Sequence, residues 1–146
     1  MQLLVQEDSF DIGAETTAFI AGASGAGAVV TFSGLVRNTD DRLAAMQIEH
    51  YPGMTERAIA AMMDQAAARW QLMDVLVIHR HGLLEPGNPI MMVATAARHR
   101  AEAFAAAEFL MDYLKSRAPF WKKEITAQGA HWVAAKDTDE AALSRW

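Results

Sequence analysis

The chain has 146 residues, a net charge of −5 and no cysteine. That length suits one domain with a substantial core. The missing thiols exclude disulfides, thiolate metal sites and a cysteine nucleophile, and the acidic balance argues against general nucleic-acid binding. With 52% hydrophobic and 21% charged residues the composition is that of an ordinary soluble globular protein. The longest apolar run, PIMMVATAA at 89–97, is too short to cross a bilayer. The first fifteen residues lack a basic n-region and an apolar h-region, so a cytoplasmic location is expected.

In chain order, residues 13–27 begin as a short helix and dissolve into glycines. The alternating run AVVTFSGLV (28–36) is a strand, followed by a polar loop that Arg37 opens. A second strand spans 44–51, with Met46 and Ile48 on one side. Pro52-Gly53 breaks it, Thr55 is a plausible N-cap, and Ile59, Met62, Met63, Ala66 and Trp70 recur at helical spacing. Strands at 74–81 and 89–96 flank the loop GLLEPGN. A long helix from about His99 to Arg117 follows, with Phe104, Ala107, Met111 and Leu114 as its expected buried stripe, and Pro119 ends it. Residues 123–135 read as a hairpin turning near Gln128-Gly129, and 136–146 as a polar, helix-capable tail. Hairpin-connected strands grouped with helices indicate an α+β fold.

The charge is uneven. From Arg98 to Lys123 six Lys/Arg stand against three Asp/Glu, so an acidic body carries a local basic zone. Such a zone suits a small anion or an acidic tail better than a long polyanion. His99 and Arg100 fall where a strand hands over to a helix, and a helix N-terminus attracts anions. Arg37 offers the two-pronged geometry that binds phosphate. Lys115 and Lys122 bracket SRAPFW, where Arg117, Lys123, Phe120 and Trp121 provide the cationic and apolar setting that activates an amine. Taken singly, each of these is as well explained by a solvated turn or by the basic C-terminus a helix dipole favours. The other histidines lack metal-ligand spacing, although His79 and His81 alternate and could share one face. No metal is expected.

In combination the segments are specific. GAVVTFSGLVRN (27–38), IEHYPGMTE (48–56), VIHRHGLLEPG (77–87), RHRAEAF (98–104) and FLMDYLKSRAPFWKKE (109–124) occur in this order. The chain resembles the large, catalytic subunit of molybdopterin synthase, the MoaE family, from about residue 27 to Trp146, most strongly over 27–135. The resemblance implies an α/β hammerhead with an added antiparallel β subdomain. It implies a homodimer in which each protomer binds a small ubiquitin-like subunit ending in a Gly-Gly thiocarboxylate. Sulfur would pass from that tail to cyclic pyranopterin monophosphate, forming the dithiolene of molybdopterin, with no cofactor. By the same resemblance Lys115 and Lys122 are catalytic, while Arg37, His99, Arg100, Lys123 and Glu124 handle the substrate. Leu35 replaces a basic residue found in some relatives, and His81 stands where an aliphatic residue is common.

One geometric expectation follows. Arg100 and Lys115 are fifteen residues apart on one predicted helix, so roughly 22 Å separates their Cα atoms. Either the helix breaks or the two groups serve one pocket from different chains, with Lys136 a further candidate to reach across. A non-catalytic module that captures an anionic tail or phosphate in a basic groove explains the charge pattern equally well. A hydrolase using His99 with Glu102 or Glu124 is disfavoured, because no nucleophile elbow is present.

Overall fold

A computed structural model describes residues 1–38, 42–134 and 137–146. Lys136 lies outside the described residues. The elements in chain order are β1 (Gln2–Gln6), α1 (Ile12–Gly22), β2 (Ala28–Leu35), β3 (Leu43–His50), α2 (Met54–Trp70), β4 (Asp74–Arg80), β5 (Gly82–Leu84), β6 (Pro89–Ala97), α3 (Arg100–Ser116), β7 (Phe120–Thr126), β8 (Gly129–Trp132) and α4 (Asp137–Ala142), with a final 3-10 turn, Leu143–Arg145.

Two sheets form. The first has the order β1-β4-β6-β2 and the second β5-β3-β7-β8. Among the described residues only the β1–β4 pair is parallel. The fold is α+β, and the second, wholly antiparallel sheet is the added subdomain that the resemblance implies. The chain crosses from one sheet to the other between β4 and β5, at Gly82, whose φ of 85° a side chain would resist.

Strands β4 and β6 read as almost unbroken apolar runs because the first sheet is covered on both faces. Val75, Val77, Met91 and Val93 point into a core shared with α2, α3 and the second sheet. Leu76, Ile78, Met92, Ala94 and Ala96 point the other way, under Phe19 of α1. At the end of β4 the buried Arg80 guanidinium donates to the carbonyls of Glu7 and Pro89, tying three strand ends together.

Four sequence expectations differ from the structure. Strand β1 and the short β5 are additional elements, and β7 starts at Phe120 rather than 123. Thr55 is not the N-cap of α2. Gly53 occupies that position, and its N–H donates to Glu56 Oε2 at 2.6 Å. Thr55 is fully buried, its hydroxyl accepting from Tyr51 N and donating to the Pro119 carbonyl, which fastens the entry of β7 to α2. Phe104 is 62% exposed instead of buried, because the buried face of α3 centres on Ala103, Ala106, Ala107, Leu110 and Leu114.

Candidate functional site

An open cleft of about 820 Å³ runs between the β2 edge of the first sheet, the C-terminal turn of α3 and strand β7 of the second sheet. Arg37, Lys115, Lys122 and Glu124 all line it, together with His79, Phe120, Trp121 and Asp139. Residues distant in sequence thus meet at one place, for local reasons. Arg37 is delivered where β2 slips register between Gly34 and Leu35 and then leaves the sheet. Lys115 is the basic residue in the last turn of α3, where the helix dipole favours a cation. Helix α3 ends at Ser116, a short turn through Arg117 and Pro119 follows, and the chain enters β7 at Phe120. Along β7 the side chains of Phe120, Lys122 and Glu124 share a face by strand alternation.

Lys122 pairs in register with Ile48, itself fully buried, so its stem lies over the core edge while its amine meets the cleft. Burial lowers its pKa from the ordinary lysine value, the nearby Lys115 lowers it further, and Asp139 partly offsets both. The expected cationic neighbours, Arg117 and Lys123, do not supply this setting: Arg117 pairs with Glu140 and Lys123 lies over Trp132, and burial with Lys115 takes their place. Lys115 is the exposed member of the pair.

His79 forms part of the cleft wall. It is 2% exposed, and its ring stacks on Phe120 with centroids 3.7 Å apart and an interplanar angle of 13°. Its Nδ1 lies 2.8 Å from the Arg80 carbonyl; since a carbonyl only accepts, Nδ1 carries the proton. Desolvation pushes its pKa down to about 3, so the ring is neutral at physiological pH. His50 and His81 complete a ring cluster beside it, with centroids 4.3 Å apart, and the buried His50 Nδ1 has no hydrogen-bond partner among the described residues. His81 also lies 3.7 Å from Glu7, and burial followed by His50 lowers its pKa.

Three predicted site residues lie elsewhere. His99 is the N-cap of α3 and Arg100 its first residue, at the end opposite Lys115. The helix is continuous between them, which excludes a break as the way to bring Arg100 to Lys115 in one chain. Lys123 faces away from Lys122, and its ammonium sits 4.2 Å above the Trp132 ring. Two cleft residues escaped the sequence reading. His79 was visible only as one of two alternating histidines. Asp139 arrives from α4, which packs on α3 through Ser116 Oγ donating to the Asp139 carbonyl at 2.7 Å and an Arg117–Glu140 ion pair. Nothing local in the sequence marks that approach. Among the described residues no group of histidines and carboxylates has the geometry to hold a metal ion.

The site is thus a two-sheet α+β scaffold that gathers two lysines and an arginine along one cleft. Comparison with known proteins agrees. The family described as MoaE protein matches residues 5–117. A molybdopterin synthase catalytic subunit from Cereibacter sphaeroides is 71% identical over 146 residues, covering 100% of both chains. The solved MoaE protein of Burkholderia ambifaria superposes with a TM-score of 0.85 at 51% identity, covering 99% of this chain and 97% of that one. The molybdopterin synthase structure from Staphylococcus aureus gives a TM-score of 0.81 at 27% identity, over 90% of this chain and 96% of that one. The chain belongs to the MoaE family. The family match begins at residue 5, so it takes in the end of β1 and all of α1, ahead of the segments that first suggested it.

Proposed function

We propose that this chain is the catalytic subunit of a molybdopterin synthase. It moves sulfur from the C-terminal thiocarboxylate of a small ubiquitin-like subunit to cyclic pyranopterin monophosphate, building the dithiolene of molybdopterin. The observation that carries this reading is the meeting of Lys115, Lys122 and Arg37 in one cleft of a cysteine-free MoaE-family chain. A protein with no thiol runs a sulfur transfer when the sulfur arrives on a partner. Both reactants are anions, and the cleft offers cations to each.

In this scheme Arg37 grips substrate phosphate, and Lys115 stabilises negative charge as the thiocarboxylate sulfur bonds to a side-chain carbon of the pterin and displaces an oxygen group from it. Water then cleaves the acyl–sulfur bond and releases the tail as a carboxylate. Preorganised cations at developing charge are usually the largest catalytic contribution. Lys122, with its lowered pKa, is suited to move a proton in the same step. Glu124 borders the pocket, and Lys123 holds Trp132 at its rim. His99 and Arg100, too far along α3 to serve their own Lys115, complete the cleft of a second protomer in a homodimer, and two small subunits make the assembly a heterotetramer. No helix among the described residues is long and apolar enough to cross a membrane. The cytoplasm is the proposed location.

A single-turnover assay tests the reading. Protein, cyclic pyranopterin monophosphate and a small subunit bearing the thiocarboxylate are mixed, and dithiolene product is scored by mass. Product requiring all three components is expected, with Lys115→Ala losing about 100-fold or more while still binding the partner. No product despite complex formation would reassign the cleft as a docking groove for an anionic tail.

A further inference from the structure

Strand β2 closes one side of the first sheet. Among the described residues it pairs with β6 alone, and no loop or side chain hydrogen-bonds its open edge. Four consecutive residues of the strand, Phe32 to Leu35, line the cleft. Successive side chains of a strand point to opposite faces. A continuous run of lining residues therefore means that β2 meets the cleft with its main-chain edge. Every second residue of an edge strand turns its N–H and C=O away from its neighbour, so this edge offers donors and acceptors in line.

The edge lacks the usual protection. Exposed edges are commonly blunted by charge or proline, and AVVTFSGL has neither. Its Phe32 and Leu35 are themselves exposed. The one irregularity, the register slip between Gly34 and Leu35, comes at the far end, where the chain leaves towards Arg37.

The cations lie at that same end. Ala28 pairs with Ala97, and Gly27 approaches the Arg98 carbonyl, so β2 starts beside the first turn of α3. From there α3 returns over β6, with Thr95 bonded to Ala103, and so runs in the same sense as β2. It carries Lys115 to the Leu35 end, where Arg37 and Lys122 share the cleft.

We propose that β2 is a docking rail for the C-terminal tail of the partner subunit: the tail lies extended on the open edge as an added parallel strand, and its terminus is delivered to Lys115 and Lys122. The identity of the occupant rests on the sulfur-transfer reading; the pairing is testable without turnover. Main-chain bonds hold an extended peptide along a sheet edge whatever its side chains. The cations call for an anionic end. The parallel sense is the one that brings a C-terminus, rather than an N-terminus, to them. A free phosphate would use the cations and leave the edge idle.

The test leaves this chain unaltered. The small subunit is prepared with an ordinary C-terminal carboxylate, so that no transfer occurs, and with a single backbone N-methyl group at successive positions along its tail. Affinity is measured by calorimetry. An added strand turns every second amide towards β2, so alternation is expected: N-methylation at every other position weakens binding about ten-fold, and at the intervening positions much less. On complex formation, amide exchange at alternate residues within Phe32 to Leu35 should slow, the others being already paired with β6. Equal losses at all positions, no loss at any, or no binding of the unmodified tail would overturn the proposal. Alternation with unchanged exchange in β2 would place the tail on another edge and count equally against it. Product in the single-turnover assay without alternation would remove the rail and keep the sulfur-transfer reading. Alternation with an inactive thiocarboxylate complex would do the reverse.

Discussion

Lys122 and His79 respond to the same burial with opposite consequences for function. Desolvation disfavours the charged form of each. For Lys122 this raises the fraction of neutral amine available to take a proton. The cost to the fold is present while the amine is charged and is relieved as pH rises through its lowered folded pKa towards the ordinary lysine value. For His79 the unfolded chain binds a proton below about pH 6.5 while the native state refuses it until about pH 3. Native stability is therefore intact above pH 6.5 and falls as pH drops through that window. At pH 4.5 the loss is on the order of 2–3 kcal/mol relative to pH 7. Urea unfolding at the two pH values should show it, and His79→Phe should remove most of the difference. The lysines stood out in the sequence as candidates because cations crowd around the end of one helix, and the family resemblance gave them their proposed roles. The state of His79 was not legible, because it depends on Phe120, some forty residues away.

At the scale of elements, the strands and long helices were legible because their apolar periods are strong. The misassigned stripe of α3 is instructive. Ala107 and Leu114 are buried as expected, but Phe104 is exposed, and Ala103, Ala106 and Leu110 complete the contact face. Small side chains let the helix lie close to β6, close enough for Thr95 Oγ1 to donate to the Ala103 carbonyl at 2.8 Å. The helix entry is equally tight. A Cβ on Gly27 would stand 2.3 Å from the Arg98 carbonyl oxygen, a backbone atom that cannot swing aside. Gly27→Ala should cost about 1–3 kcal/mol and displace His99 and Arg100, reducing turnover more than Gly22→Ala, whose Cβ meets open space. The closing segment is held by Trp146, whose ring packs edge-on against Trp70 and Phe109 and whose Nε1 donates to Asp112 at 2.7 Å. Arg145 adds ion pairs to Asp112 and Glu108. Trp146→Ala should cost about 2 kcal/mol and raise amide hydrogen exchange in α4, which carries Asp139.

For the whole molecule, the proposed assembly makes a sharp prediction. Arg100→Ala and Lys115→Ala chains are each expected to be inactive as homodimers. Mixed in one dimer, they leave one pocket with both groups intact, and turnover per dimer should return to about half of wild type. A mixed dimer as inactive as its parents would mean that α3 serves only its own chain. The meeting of residues 37, 115, 122 and 139 in one cleft was not legible, since it depends on how two sheets and a returning tail are stacked, and no local period encodes that. The resemblance supplied the grouping of the first three; Asp139 required the structure.

The cleft lies along the seam between two sheets whose main-chain ladders are separate. Its width is consequently a soft coordinate. Widening it to admit a peptide tail, or narrowing it to expel water around two anions, strains side-chain packing such as the His79–Phe120 stack and leaves every strand pairing intact. A scaffold of this kind yields in one direction and stays stiff in the others. A transfer reaction that must seat two reactants of unequal size in turn is served by that anisotropy.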